Sequence, residues 1–494
     1  MKIKELEDKF SKRALWWLFV LGYFLLVYAP RFIMEGMFGD GLTYSSIGRN
    51  MAMGQGSFWA PYFSSSFWLP FNTTKVFYEH PPLAMYLQSL LFRLFGDQLF
   101  VEKLYSLIIC LSTVLGIVLI WRLIFKESHW VRWDWLPVII WFGMPEVEWT
   151  VPNNMLDNTQ ALFCVFGVYF FMLANFKRPS FLIALISGCC IFLGFLSKGP
   201  VSLFVIVFPV LYLYIGKNKS KVVFNGLGLI LGLLLPLLFC FYYPPARLFL
   251  TRYINQQFLS ALLGNREIAD SSDAFWGHFY IFRSIYNQIL SGLIFNLLVF
   301  ILILWKKGKS SFSFKSDSNW KYFWVFTVLA ISGSFPIALS SKQADYYLLP
   351  STPFYAISLA ILGVILLKVV ENEIVIELRK KVVLLSVAVY LFISIGFASY
   401  HIGKVRKYEK DIIHDLPILA KYIPKSSKIW VCPEMMNDFT IHTYLQRYLR
   451  AELTLNENDT KYFLSQINGC SPPAISSNEK LENFEKFRLF VVKE

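Results

Sequence analysis

Lys198 and Lys342 stand where a membrane-embedded chain has least use for a cation. Lys198 sits in Leu196-Ser197-Lys198-Gly199-Pro200 and Lys342 in Ser340-Ser341-Lys342-Gln343-Ala344-Asp345, each between two apolar runs. Counted from the N-terminus, both fall at outer span ends, whereas basic residues normally crowd cytoplasmic loops. A cation kept there, beside Gly, Pro or Ser, suits an anion to be held. The conspicuous acids fall on the same face: Asp40 in Phe38-Gly39-Asp40-Gly41, Glu79 in Tyr78-Glu79-His80-Pro81-Pro82, Asp157 at the start of an apolar run, and Asp345. A carboxylate at the bilayer surface can take a proton from an acceptor hydroxyl. Lysines nearby can hold the phosphate of a lipid-linked donor and stabilise it as it leaves. The set suits group transfer from a lipid phosphate to an acceptor outside the membrane.

Each residue has a plainer role open to it. Asp40 can be a solvated loop carboxylate, Glu79 can cap a helix starting at Leu83, and Asp157 can N-cap its span. Lys198 and Lys342 can snorkel to lipid headgroups, or Lys342 can pair with Asp345. Glu146 and Glu148 are assigned no role. Among the six histidines His278 is the best metal-ligand candidate. Zinc-ligand spacing is absent, so the pattern requires no cofactor. Walker A, dinucleotide-binding and Ser-His-Asp signatures are also absent, which leaves nucleotide-driven chemistry without support.

The elements that must position these residues are membrane helices. The chain has 494 residues, 56% hydrophobic and 16% charged, with a mean hydropathy of +0.49, against roughly 25% charged residues in soluble domains. Its net charge of +14 collects in short loops and does not argue for nucleic acid. At about 20 apolar residues per helix, spans are expected near 14–34, 100–125, 135–151, 157–175, 180–197, 200–216, 222–243, 283–305, 320–339, 346–369 and 382–400. That is about eleven, with up to about thirteen allowed. Residues 1–13 read as an uncleaved charged anchor. With the N-terminus inside, every inner loop is basic, and the short outer turns carry only Lys198 and Lys342.

Three larger pieces lie outside: loops near 35–99 and 244–282, and a tail of 402–494. Segments 43–53, 83–95 and 248–263 read as helices lying on the membrane. Residues 1–401 are thus expected to form an all-α transmembrane domain. Residues 402–494 are expected to form a small extracytoplasmic α/β domain, with β-like runs at 428–431 and 487–492. Cys432 and Cys470 can pair there, whereas the other five of the seven cysteines lie in apolar spans.

The motifs in this order resemble those of polyprenyl-phosphate-dependent GT-C membrane glycosyltransferases. The chain is most similar to the branch of protein O-mannosyltransferases and the bacterial lipid A aminoarabinose transferase. The resemblance covers roughly residues 14–370. It rests on Asp40 after the first span with Tyr44, Arg49 and Met51 behind it; Phe77-Tyr78-Glu79-His80-Pro81-Pro82; Asp157; Ser197-Lys198-Gly199-Pro200; and Ser341-Lys342 followed by Tyr346-Tyr347-Leu348-Leu349-Pro350. It implies that Asp40 activates the acceptor and that Asp157 supports it or orients the acceptor. Lys198 and Lys342 would bind the donor phosphate, and Glu79, His80, Tyr346 and Tyr347 would shape the pocket. In some relatives the residue matching Glu79 binds a metal. Two departures stand out: Gly41 follows Asp40 where an acidic residue is usual, and His80 replaces the usual Lys, which takes one fixed charge from the phosphate site.

The implied activity is inverting transfer of a sugar from a polyprenyl-phosphate donor to a lipid A, polysaccharide or protein acceptor. The place would be the outer face of a bacterial plasma membrane, with the lipid bilayer as partner. Two other readings stay open: a flippase for lipid-linked sugars, and a non-catalytic scaffold. The one-sided charges and the lack of an internal repeat weigh against transport.

Overall fold

With no water in the bilayer core, each spanning segment must satisfy its own backbone N–H and C=O groups, and helices do so. The computed structural model describes residues 2–66, 75–176, 180–260, 263, 279–307, 318–340, 343–370, 380–470, 477–480 and 482–492. Among them, eight helices are long and apolar enough to cross a membrane: Val101–Ile124, Leu156–Phe176, Phe181–Lys198, Lys219–Tyr242, Tyr280–Trp305, Asn319–Leu339, Asp345–Val369 and Val382–Tyr400. The protein is a multi-pass membrane protein. The other three expected spans take shorter or broken forms. The first gives an apolar stretch Arg13–Val27 followed by a separate helix, Ala29–Ile33. The third breaks into Leu136–Phe142 and Pro145–Thr150, each with proline in its first turn, where a missing N–H does no harm. The sixth opens as a 3-10 helix, Pro200–Val207, and continues as Phe208–Tyr212.

Contacts divide the chain into two compact units. The membrane unit comprises Met1–Pro30, Ser106–Pro152 and Leu156–Tyr400. Within it, Phe181–Lys198 approaches Lys219–Tyr242 closely. A Cβ at Gly188 would lie 2.0 Å from the Leu229 carbonyl oxygen, and one at Gly232 would lie 2.1 Å from that of Leu185. Small residues at such crossings let helix backbones touch without a hydrophobic driving force.

The second unit comprises Arg31–Tyr105, Asn153–Met155 and His401–Glu494. The α/β tail expected from the sequence is present. Its strands β1 (Lys428–Val431), β2 (Glu452–Thr454), β3 (Tyr462–Gln466), β4 (Ser477–Glu479) and β5 (Phe487–Val492) form one mixed sheet in the order β2-β1-β3-β5-β4. The β1–β2 and β1–β3 pairs are parallel, and β5 runs antiparallel to β3 and β4. Tail residues Ile413, Leu416, Ile441 and Leu445 share one core with Met37 and Leu42 of the first loop. Cys432 and Cys470 form a disulfide.

Two expected surface helices differ in how they lie. Gly39–Ala52 is buried along most of its length, from Gly41 to Met51. Leu83–Phe95 turns Gln88 and Ser89 inward and leaves Leu90 38%, Leu94 75% and Phe95 46% exposed. Leu83, Met85 and Phe92 are buried beside them, and the exposed Leu90, Leu94 and Phe95 form an apolar strip that suits contact with lipid.

Candidate functional site

In the membrane unit, the helix starting at Leu156 carries Asp157 in its first turn, and the helix ending at Lys198 carries that lysine in its last. The Lys198 ammonium donates to Asp157 Oδ2, with side chains only 8% and 1% exposed. The same Nζ lies 4.5 Å from the Tyr346 ring centroid and 5.0 Å from that of Tyr347, within cation–π reach. Trp149 stacks on Tyr346 at 6.0 Å. Lys198 thus points into the protein, which is not the posture of a snorkelling side chain.

The turn after Lys198 explains its position. Gly199 ends the helix with φ +122°, a backbone conformation that disfavours side chains. A Cβ there would lie 2.0 Å from the Tyr253 hydroxyl. That hydroxyl donates to the Lys198 carbonyl at 3.2 Å, and Gln160 Nε2 donates to the Gly199 carbonyl at 2.8 Å. The turn and the helix bearing Asp157 are therefore tied together. Glu146, given no role above, keeps its backbone N–H on Gln288 Oε1 at 3.0 Å. Its Oε2 is buried with no partner among the described residues.

In the second unit, Asp40 lies half-buried in the first turn of Gly39–Ala52. Tyr44, one turn on and so on the same helix face, meets the His80 ring edge-on at 5.8 Å. His80 also lies 6.3 Å from the Phe77 ring, and Glu79 beside it is half-buried. The structure therefore brings the Tyr44, Phe77 and His80 rings together beside the first turns of this helix. Arg49, named with them in the sequence, is structural. It is 1% exposed and donates to the carbonyls of Gln446 and Arg447 at 2.9 and 3.2 Å. Burial pushes its guanidinium down to about 9, with Asp97 opposing the shift.

Ser341, Lys342 and His278 lie outside the described residues. Among those described, the one group of three His, Cys, Asp or Glu residues with ligand atoms close enough for a metal is Cys432, Glu434 and Cys470. Its two sulfurs are joined in the disulfide.

These helices, with the small sheet appended, have the fold of the GT-C membrane glycosyltransferases. Residues 79–241, which carry Glu79, His80, Asp157 and Lys198, match the family described as dolichyl-phosphate-mannose-protein mannosyltransferase. ArnT from Cupriavidus metallidurans bound to undecaprenyl phosphate superposes with a TM-score of 0.61 at 13% identity, over 96% of this chain and 97% of that one. Its apo form gives 0.60 at 15% identity, over 95% and 96%. The apo oligosaccharyltransferase of Archaeoglobus fulgidus gives 0.53 at 11% identity, over 92% of this chain and 69% of that one. No curated protein matches the chain by sequence.

Proposed function

We propose that this protein is an inverting glycosyltransferase of a bacterial plasma membrane. It moves a sugar from a polyprenyl-phosphate donor to an acceptor on the extracytoplasmic face. The observation that carries the reading is the buried Lys198–Asp157 pair, seated in the segment that matches a mannosyltransferase family. That match, and a fold shared with a protein bound to undecaprenyl phosphate, favour transfer over the flippase and scaffold readings.

In the proposed reaction Asp40 takes the proton of an acceptor hydroxyl. The oxygen attacks the anomeric carbon from the face opposite the phosphate, and the sugar–phosphate bond breaks with inversion. Lys198 and Lys342 stabilise the polyprenyl phosphate as it leaves with the bonding pair. Asp157 orients Lys198. Glu79, His80, Tyr346 and Tyr347 shape the pocket. The scheme requires no cofactor.

Three measurements test it. Mass spectrometry of envelope glycans from a deletion strain identifies the missing sugar and acceptor. Asp40→Asn should lower transfer roughly a hundred- to ten-thousandfold, the usual loss for a general base, with undecaprenyl-phosphate binding retained. Near-normal transfer by that variant in a strain lacking the wild-type copy rules out the catalytic role of Asp40. An impermeant thiol reagent should label a cysteine placed at 450 but not one placed at 310. The reverse at 310 and 450 overturns the orientation.

A further inference from the structure

The five residues before Asp40 are held by groups from far along the chain. Glu35 donates its N–H to the Lys404 carbonyl at 2.9 Å, and its carbonyl accepts from Arg406 N–H at 3.0 Å. Gly36 has φ +100°, and a Cβ there would meet Ile413 Cδ1 at 2.9 Å. The Met37 N–H donates to the Tyr444 hydroxyl at 3.2 Å, and that hydroxyl donates to the Met37 carbonyl at 3.0 Å. The Phe38 N–H donates to Asn153 Oδ1 at 3.1 Å, and the same oxygen accepts from Arg406 Nη1. Gly39 follows, with room only for hydrogen. A Cβ there would come within 3.0 Å of the Phe439 ring.

Such density is unusual for a loop leaving a membrane span, since loops mostly satisfy their backbone with water or their own side chains. Tyr444 is fully buried and spends its hydroxyl entirely on Met37, as donor and acceptor at once. Its helix, Phe439–Leu449, also supplies the Gln446 and Arg447 carbonyls that hold Arg49 at the far end of the Asp40 helix. The Asp40 helix is therefore gripped at both ends by one tail helix.

We infer that the C-terminal tail is a positioning element for Asp40, with Tyr444 as the residue that fixes the entry of the Asp40 helix through both polar atoms of Met37. This inference rests on the reading of Asp40 as the catalytic carboxylate. Tyr444 and Arg406 touch no reacting atom in this scheme; they set where the Asp40 carboxylate stands. A displacement of about 1 Å can cost a reaction about a hundredfold while leaving binding intact.

The test compares Tyr444→Phe, Gly36→Ala, Asp40→Asn and Tyr422→Phe in full-length protein. Tyr444→Phe keeps the ring and removes both hydrogen bonds to Met37. Gly36→Ala strains the same segment from its own side while keeping the Tyr444 hydroxyl; its Cβ would meet Ile413 Cδ1 at 2.9 Å and lie 3.5 Å from that hydroxyl. Tyr422→Phe removes a tail hydroxyl that donates to Glu482 and not to Met37. Transfer is read as the rate at which each variant, on induction, restores the glycan lost by a deletion strain. Binding is read with undecaprenyl phosphate in nanodiscs, and tail integrity by protease resistance. Tyr444→Phe and Gly36→Ala should each lower transfer about ten- to hundredfold, with undecaprenyl-phosphate binding and protease resistance unchanged. Tyr422→Phe should match wild type. If Asp40→Asn is inactive while Tyr444→Phe transfers normally, the positioning inference fails and the catalytic assignment stands. If Asp40→Asn transfers normally, the catalytic assignment fails first. Loss of protease resistance or binding by both Tyr444→Phe and Gly36→Ala makes the contact merely structural and overturns the inference.

Discussion

Replacing Lys198 by methionine tests the buried Lys198–Asp157 pair most sharply. Methionine keeps an apolar stem against Tyr346 and Tyr347 but removes the ammonium. Asp157, with a side chain only 1% exposed, is left as a buried charge without its cation. Breaking a buried pair from one side costs about 3–5 kcal/mol, or roughly two to three and a half powers of ten in the folding equilibrium. Asp157→Asn leaves the ammonium instead, still facing two aromatic rings at 4.5 and 5.0 Å. A desolvated cation–π contact contributes about 2 kcal/mol, so this variant should lose less. The double variant carries no charge and should regain at least about 2 kcal/mol over Lys198→Met. Unfolding of reconstituted protein in a denaturant series measures all three. Ligand binding separates the two partners further. A charged hydrogen bond to phosphate contributes about 1.5–3 kcal/mol, so Lys198→Met should bind undecaprenyl phosphate about ten- to hundredfold more weakly. Asp157→Asn frees the ammonium and should bind no more weakly than wild type. Wild-type stability and affinity in Lys198→Met would refute both the buried pairing and the phosphate role.

Three further outcomes follow from the second unit. Arg447, 1% exposed, ion-pairs with Asp97 at 2.8 Å and Glu102 at 3.0 Å. Arg447→Met should therefore destabilise this unit by about 3–5 kcal/mol, seen as a lower denaturant midpoint when the tail is probed by pulse proteolysis. Burial alone would raise the Asp97 pKa, but Arg49, Arg447 and Arg450 outweigh it and hold it below its ordinary 3.8. Its stabilising contribution is then fully present above that value and lost as pH falls through the depressed one; acid unfolding should ease in Asp97→Asn, whose stability should vary less with pH below 4 than that of wild type. The Cys432–Cys470 bridge spans 38 residues. Reduction should lower tail stability by about 2–4 kcal/mol, measurable by urea unfolding with and without reductant.

The membrane helices and the tail sheet were legible because their signals are local. Apolar runs fix spans, and the runs at 428–431 and 487–492 became β1 and β5. The broken third span was foreshadowed by Pro137 and Pro145. What stayed hidden was partnership at long range. Asp157 read locally as a helix cap, yet its carboxylate meets a lysine 41 residues on, and no spacing rule predicts such a pair. Residues 43–53 read as a surface helix, yet they belong to Gly39–Ala52, buried from Gly41 to Met51, because a helix looks the same in sequence whether it meets lipid or protein. Arg49 carried no mark in the sequence of its partners, the carbonyls of Gln446 and Arg447.

The bond between Tyr444 and Met37 joins residues 407 positions apart. At roughly 5–20 residues per second of synthesis, the segment before Asp40 waits about 20–80 s for its partner to leave the ribosome. The eight long apolar helices, from Val101 to Tyr400, are all made during that wait. An unfinished chain can thus be fully inserted while its Asp40 segment still lacks the contacts that fix it. A stop codon or proteolytic cut before residue 444 would leave an inserted chain without the two Tyr444–Met37 bonds, and, if the tail positions Asp40 as inferred above, the order of synthesis itself delays transfer.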